Sequence, residues 1–235
     1  MIVRPYESSL LLITQPDHAG LAERVMRHWK TDGLAELPHR SSIFHAIAEH
    51  DNGWQEVDAV PLVDSTGRIL DFVSAPIDVR QSLWPRGVER LARDPLAAAL
   101  VAEHAITVYG RFRSDVAWAA FFSQMADLRA RHAAQANVTL DALTRDYFFV
   151  RVADLISLAF CNAWTDVQEL GQYAFRLDEA GLVIDPDPFA GATIALDVPA
   201  RRLPARAYSP SEATAAWRAS AIEVTQGSIR AGRVR

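Results

Sequence analysis

Apolar residues recur at two different periods along this chain, and the change of period divides it. Ile2-Val3-Arg4 and Leu10 to Ile13 are β-favouring stretches separated by Glu7-Ser8-Ser9, which predicts a short hairpin. Helical spacing then takes over. Thr14, Pro16 and Asp17 form an N-terminal signature with Thr14 as cap, and the helix they open is predicted to run to about Trp29, where Lys30-Thr31-Asp32-Gly33 stops it. A second helix from Ser41 to Asp51 carries Ile43, Phe44 and Ile47 inward and ends at Asn52-Gly53. Prolines and the Asp64 to Gly67 stretch make residues 55 to 76 a surface loop, and helices are predicted again over Ile77 to Arg93, Pro95 to Tyr109, Asp115 to Ala134 and Leu140 to about Glu169.

Beyond Gly171 the period shortens to two. Tyr173 to Leu177, Leu182 to Ile184 and Thr193 to Val198 read as strands broken by Asp185-Pro186-Asp187-Pro188. Ser209-Pro210-Ser211-Glu212 is a capping box for one short helix, and Ala221 to Thr225 reads as a last strand. The expected fold is mainly α: one domain, residues 1–235, with a helical body over about 14–170 and a small β-sheet formed by the terminal segments 1–13 and 171–235.

Composition narrows the class. At 50% hydrophobic and 23% charged, the 235 residues can build a sizeable core, which excludes a disordered or collagen-like chain. Twenty-four basic against 29 acidic residues give −5, and Lys30 is the single lysine, so no basic face predicts nucleic-acid binding. Cys161 stands alone, which excludes a disulfide framework and a Cys-rich zinc site. The apolar run Leu10 to Ile13 is too short for a secretory signal, and no stretch suits a membrane span, so a cytoplasmic location is expected. Gly-rich phosphate loops, dinucleotide fingerprints and GxSxG elbows are absent.

The candidate chemistry lies in polar residues on apolar helix faces. His18 shares a stripe with Leu21, Ala22 and Val25. His50 and Asp51 fall three and four residues after Ile47, at the end of their helix, and His104 lies between Leu100 and Val108. Asp154 sits between Val150 and Leu158 in a strongly apolar segment, where an unpaired carboxylate is too costly to keep. Taken singly, each is also explained as a hydrogen-bonded core residue, with Arg151 pairing Asp154. Taken together, two acids and three histidines converging on one interior are satisfied at once by one divalent ion.

The order of these residues resembles the HD-domain superfamily of metal-dependent phosphohydrolases. The matching positions are His18, the adjacent His50-Asp51 pair and Asp154, over about residues 14 to 165. More narrowly, Met1-Ile2-Val3-Arg4, Gln15-Pro16-Asp17-His18-Ala19, His50-Asp51-Asn52-Gly53-Trp54 and Ala153-Asp154-Leu155-Ile156-Ser157 are similar to a bacterial family of uncharacterised function. The superfamily resemblance implies an HD-like helical bundle, and a divalent metal (Zn, Mn, Fe or Ni) on His18, His50, Asp51 and Asp154. It implies hydrolysis of a small phosphorylated or anionic metabolite by activated water, with Asp51 orienting the water and His104 as general acid or ligand of a second ion. His132 extends the pattern towards dinuclear members, some of which are di-iron oxygenases, although its polar helix end suits an exposed histidine. A non-catalytic binding or regulatory module containing the metal is the remaining alternative.

Around this set, Arg4 and Arg151 are candidates for binding an anionic substrate, and Trp54 and Trp164 for stacking on a ring. Arg4 equally suits a strand-edge charge. Asp17 is read as a helix-capping acid, His45 as partly exposed, Cys161 as buried and inert, and His28 and His39 as carrying no signal. The expected partner is a small anionic substrate rather than nucleic acid or membrane, with homo-oligomerisation through β edges left open.

Overall fold

In the computed structural model, which describes residues 1–234, the hairpin forms as β1 (Ile2–Tyr6) and β2 (Ser9–Ile13), with Ile2 opposite Ile13 and Tyr6 opposite Ser9. Side chains alternate along a strand, so the consecutive apolar residues of β2 serve two cores. Leu11 and Ile13 enter the main core, whereas Leu12 points to a smaller cluster with Met1, Ile69, Leu203 and Trp217. Helix α1 (Gln15–Met26) follows at once, its Thr14 cap accepting from the Asp17 N–H as the sequence predicts.

Four elements of the helical layer follow as α2 (Arg40–Glu49), α3 (Ile77–Arg90), α4 (Pro95–Val108) and α5 (Ala119–Gln135), and α6 (Leu140–Cys161) completes it. Helix α4 lies at its centre, against α2, α3, α5 and α6. Asp94 caps it, and Leu96 to Ala102 are buried without a break, their alanines letting neighbouring helices approach on every side. Helix α6 packs against α1, α2 and α4, and from Val150 to Cys161 only Arg151 and Leu155 are not fully buried.

The sheet departs from expectation. It has seven strands in the order β1-β2-β6-β7-β5-β4-β3, adding β3 (Gln168–Leu170), β4 (Tyr173–Asp178), β5 (Gly181–Asp185), β6 (Ile194–Pro204) and β7 (Ile222–Ala231). All neighbours are antiparallel except β5 and β7, which run parallel. The chain is therefore not a mainly-α, HD-like helical bundle with a small sheet: it sets a helical layer against a large mixed sheet, and "all-alpha" does not describe it.

Two strands account for the difference. In β6 burial alternates: Ile194, Leu196, Val198 and Ala200 face the main core while Leu203 faces the opposite side. In β7 every side chain but that of Ile229 is exposed or half-buried, and the strand is held by backbone pairing with β6 from Ile222 to Ile229. The opposite face of this region is covered by α7 (Pro210–Ala219), whose predicted capping box of Ser209 and Glu212 is present and whose Trp217 and Ala213 join Leu12.

Helix α6 stops at Cys161 rather than Glu169. Ala163 takes a left-handed φ of 55°, Trp164 N–H donates to the Ala159 carbonyl at 2.9 Å, and the chain turns into β3. Among the described residues no helix is long and apolar enough to cross a membrane.

Candidate metal centre

The four HD-like positions and His104 come together between α1, α2, α4 and α6. His18 lies in the first turn of α1, His104 on α4 and Asp154 on α6, while His50 is the residue that ends α2. Exposure is 0% for His18 and His50, 5% for Asp51, and 2% for His104 and Asp154. Successive residues of a helix point about 100° apart, so His50 and Asp51 can share a site only if the helix breaks between them. It does: Asp51 leaves the helical conformation with φ −114° and ψ 19°.

The Asn52–Trp54 turn that follows is pinned to α3. Asn52 Nδ2 donates to the Gly87 carbonyl at 3.2 Å, and Arg90 Nη1 donates to the Asn52 carbonyl at 2.6 Å. Gly53 is required by close approach, because a Cβ there would stand 2.5 Å from the Leu83 carbonyl oxygen.

The imidazoles are oriented through Nδ1, leaving Nε2 for the interior. His50 Nδ1 donates to the Ile47 carbonyl at 2.7 Å, His18 Nδ1 lies 2.9 Å from Ser157 Oγ, and His104 Nδ1 lies 3.0 Å from the Tyr147 hydroxyl. The Nε2 atoms meet the acids: His18 at 2.7 Å from Asp51 Oδ2, His50 at 3.7 Å from the same oxygen and 3.5 Å from Asp154 Oδ1, and His104 at 4.0 Å from Asp154 Oδ2. Ligand atoms bound at about 2.0–2.2 Å to one ion lie roughly 3–4 Å apart, and these spacings suit such an ion. Two overlapping groups qualify, His18-His50-Asp51 and His50-His104-Asp154, with His50 common to both. His50 Nε2 itself is buried without a hydrogen-bond partner among the described residues and is aimed between two carboxylates.

The charges divide unevenly. Burial opposes charge on His50, but the proximity of Asp154 and the charge of Asp51 outweigh it and raise its pKa to about 9. Burial likewise works against ionised Asp51 and Asp154, yet His18 and His50 hold the first below the usual carboxylate range, and His50 and His104 the second. His104 goes the other way: burial dominates and lowers it to about 3, so it is neutral at pH 7 and carries a single ring N–H. The expected pairing of Arg151 with Asp154 is present at 2.6 Å and occupies one carboxylate oxygen.

A cavity of about 280 Å³ opens beside the cluster, with Asp51, His104 and Asp154 in its wall. Trp54, Arg151 and Trp164 line it, as the sequence reading places them, and so do Gln15, Arg80, Trp84, Tyr109 and Arg111, which that reading missed. Arg80 and Arg111 carry no local signal; only the fold brings α3 and the turn after α4 to this opening.

Arg4 is elsewhere. Its Nη1 donates to the carbonyls of Phe160 and Cys161 at 3.4 and 3.3 Å, and its side chain lines a separate groove, so it caps α6 instead of meeting a ligand in the cavity. His132 is buried on α5 and belongs to neither ligand group, so it is not brought together with His104. His45 pairs with Asp94 at 2.9 Å and His39 with Asp146 at 2.7 Å. Cys161 is buried, and burial pushes its thiol up to about 12.

One comparison with known proteins is positive: a family described as protein of unknown function, DUF3891, matches residues 1–205. No curated protein and no solved structure matches.

Proposed function

The chain belongs to the DUF3891 family, described as of unknown function, and from its site we propose that it is a metal-dependent hydrolase of a small phosphorylated metabolite. The observation that carries this reading is the unpartnered Nε2 of His50. Its other nitrogen donates to the Ile47 carbonyl, so Nε2 alone faces two nearby carboxylates; without metal those acids keep the ring protonated, and a divalent ion would take the place of that proton.

His18, His50, Asp51 and Asp154 would hold the ion, with His104 beside it. A divalent ion supplies Lewis acidity there, lowering the pKa of a water and withdrawing charge from a phosphoryl oxygen. Asp51 stays ionised at the cavity wall, where it orients the attacking water and accepts its proton. Arg151 steadies Asp154 and presents its guanidinium to the phosphoryl oxygens. The water oxygen bonds to phosphorus, the ester P–O bond breaks, and the leaving oxygen takes up the proton that Asp51 received, so that an alcohol and inorganic phosphate are released.

One set of contacts favours a second reading, a metal-free polar network inside a binding module. The Arg151–Asp154 and His18–Asp51 contacts already satisfy one oxygen of each acid. A phosphoester panel run with added Mn, Zn, Fe or Ni separates the two. The hydrolase reading expects turnover that Asp51→Asn abolishes in folded protein. Absence of turnover with every metal, and an Asp51→Asn variant that only melts earlier, would establish the network instead.

A further inference from the structure

The cavity holds a cation that no acid claims. Arg80 Nε is buried without a hydrogen-bond partner, and no ion pair involves Arg80 among the described residues. Its guanidinium lies over Tyr109, Phe112 and Trp118, at 5.9, 5.6 and 5.4 Å from the ring centroids, and the last two rings are themselves stacked. Ring faces hold a guanidinium by its flat side and keep it charged while its in-plane N–H donors stay available to a ligand.

Two further groups face the same space. Gln15 is 2% exposed, lines the cavity and has a side-chain oxygen with no partner. Arg111, exposed at the mouth, rests over Phe112 at 4.7 Å and makes no ion pair among the described residues. The lining thus has three arginines against Asp51 and Asp154, an excess of positive charge in a chain whose net charge is −5. The rest of the wall is apolar and largely aromatic, with Trp54, Phe72, Trp84, Leu155 and Trp164.

We infer that Arg80, with Arg111, seats a phosphoryl group, and that the cavity takes the phosphomonoester of a small aromatic alcohol. Two guanidiniums free of carboxylates suit a dianion better than a carboxylate, and their fork matches phosphate oxygens. The aromatic wall suits a flat apolar alcohol. At about 280 Å³ the space is at the small end of ligand pockets and fits a single ring rather than a polymer. The inference rests on the cavity being the substrate site of the proposed hydrolase, but Arg80 is not a metal-ligand candidate, so binding can be tested with the metal removed.

The experiment is a tryptophan-fluorescence titration, using the cavity's own Trp54, Trp84 and Trp164, of protein stripped of metal by chelation and dialysis. Phenyl phosphate, inorganic phosphate and benzoate are the probes. Phenyl phosphate is expected to bind tightest and benzoate weakest. Arg80→Met should weaken phenyl phosphate by roughly tenfold or more, Arg80→Lys should recover part of the loss, and Arg111→Met should weaken it to a lesser degree. Wild-type affinity in both Arg80→Met and Arg111→Met, benzoate equal to phenyl phosphate, or no binding of any probe would overturn the inference. Arg80-dependent binding by a protein that takes up no metal would leave this seat standing and remove the hydrolase. Normal metal uptake with Arg80-independent binding would do the reverse.

Discussion

Replacing Gly53 by alanine tests how the His50-Asp51 break is held. The new Cβ would stand 2.5 Å from the Leu83 carbonyl oxygen and 3.1 Å from Leu83 Cδ1, where ordinary contact begins at 3.4 Å. The Asn52–Trp54 turn and α3 must therefore separate by about 0.9 Å, and the obstacle is helix backbone, which has no rotamer to move. Gly87 packs reciprocally, its own added Cβ meeting Asn52 Oδ1 at 2.6 Å, so neither side has slack. Overpacking of this kind costs about 1–3 kcal/mol, a fall in Tm of roughly 2–10 °C for a chain of this size. The displaced turn begins at Asp51, so metal affinity should fall with stability. Gly110→Ala is the control, because nothing lies within 4 Å of its added Cβ. Thermal unfolding and metal titration of both variants decide the matter. A Gly53→Ala protein that melts and binds metal like wild type would refute the claim that this contact sets the break.

Other consequences are sharper at single residues. Arg4→Ala removes two long hydrogen bonds and a cation from the carbonyl end of α6, and should lower stability by about 1 kcal/mol while leaving phenyl phosphate affinity unchanged. A weaker ligand with unaltered melting would instead put Arg4 in the substrate site. His50, raised to about 9 in the metal-free fold against roughly 6.5 unfolded, stabilises fully below the unfolded value and loses that contribution as pH rises through the folded one. Melting temperatures of metal-stripped protein should accordingly drop between about pH 7 and 10, and His50→Gln should flatten that slope; equal slopes would contradict it.

The buried polar cluster was legible because helical spacing alone puts His18, His50, Asp51, His104 and Asp154 on apolar faces. What each can do was less legible. The charge state of His104 depends on three-dimensional burial, which helical spacing does not measure. Arg80 was invisible because its aromatic support, Phe112 and Trp118, comes from a distant segment. Arg4 suited an anion site by type, but its position beside the end of α6 depends on where that helix stops, which the Ala163 turn decides. The sheet was underestimated for a related reason. Strand β7 is held by backbone pairing and carries little apolar pattern of its own, and Asp197, Arg201 and Arg202 interrupt the pattern of β6.

Metal content per chain, by inductively coupled plasma mass spectrometry, tests the centre most directly. Protein reloaded with Mn, Zn, Fe or Ni and then desalted should retain close to one ion per chain, and an Asp51→Asn, Asp154→Asn double variant should lose it while keeping its near-ultraviolet circular dichroism. Wild-type protein that retains no ion after reloading would contradict the account and reduce these residues to a buried polar network.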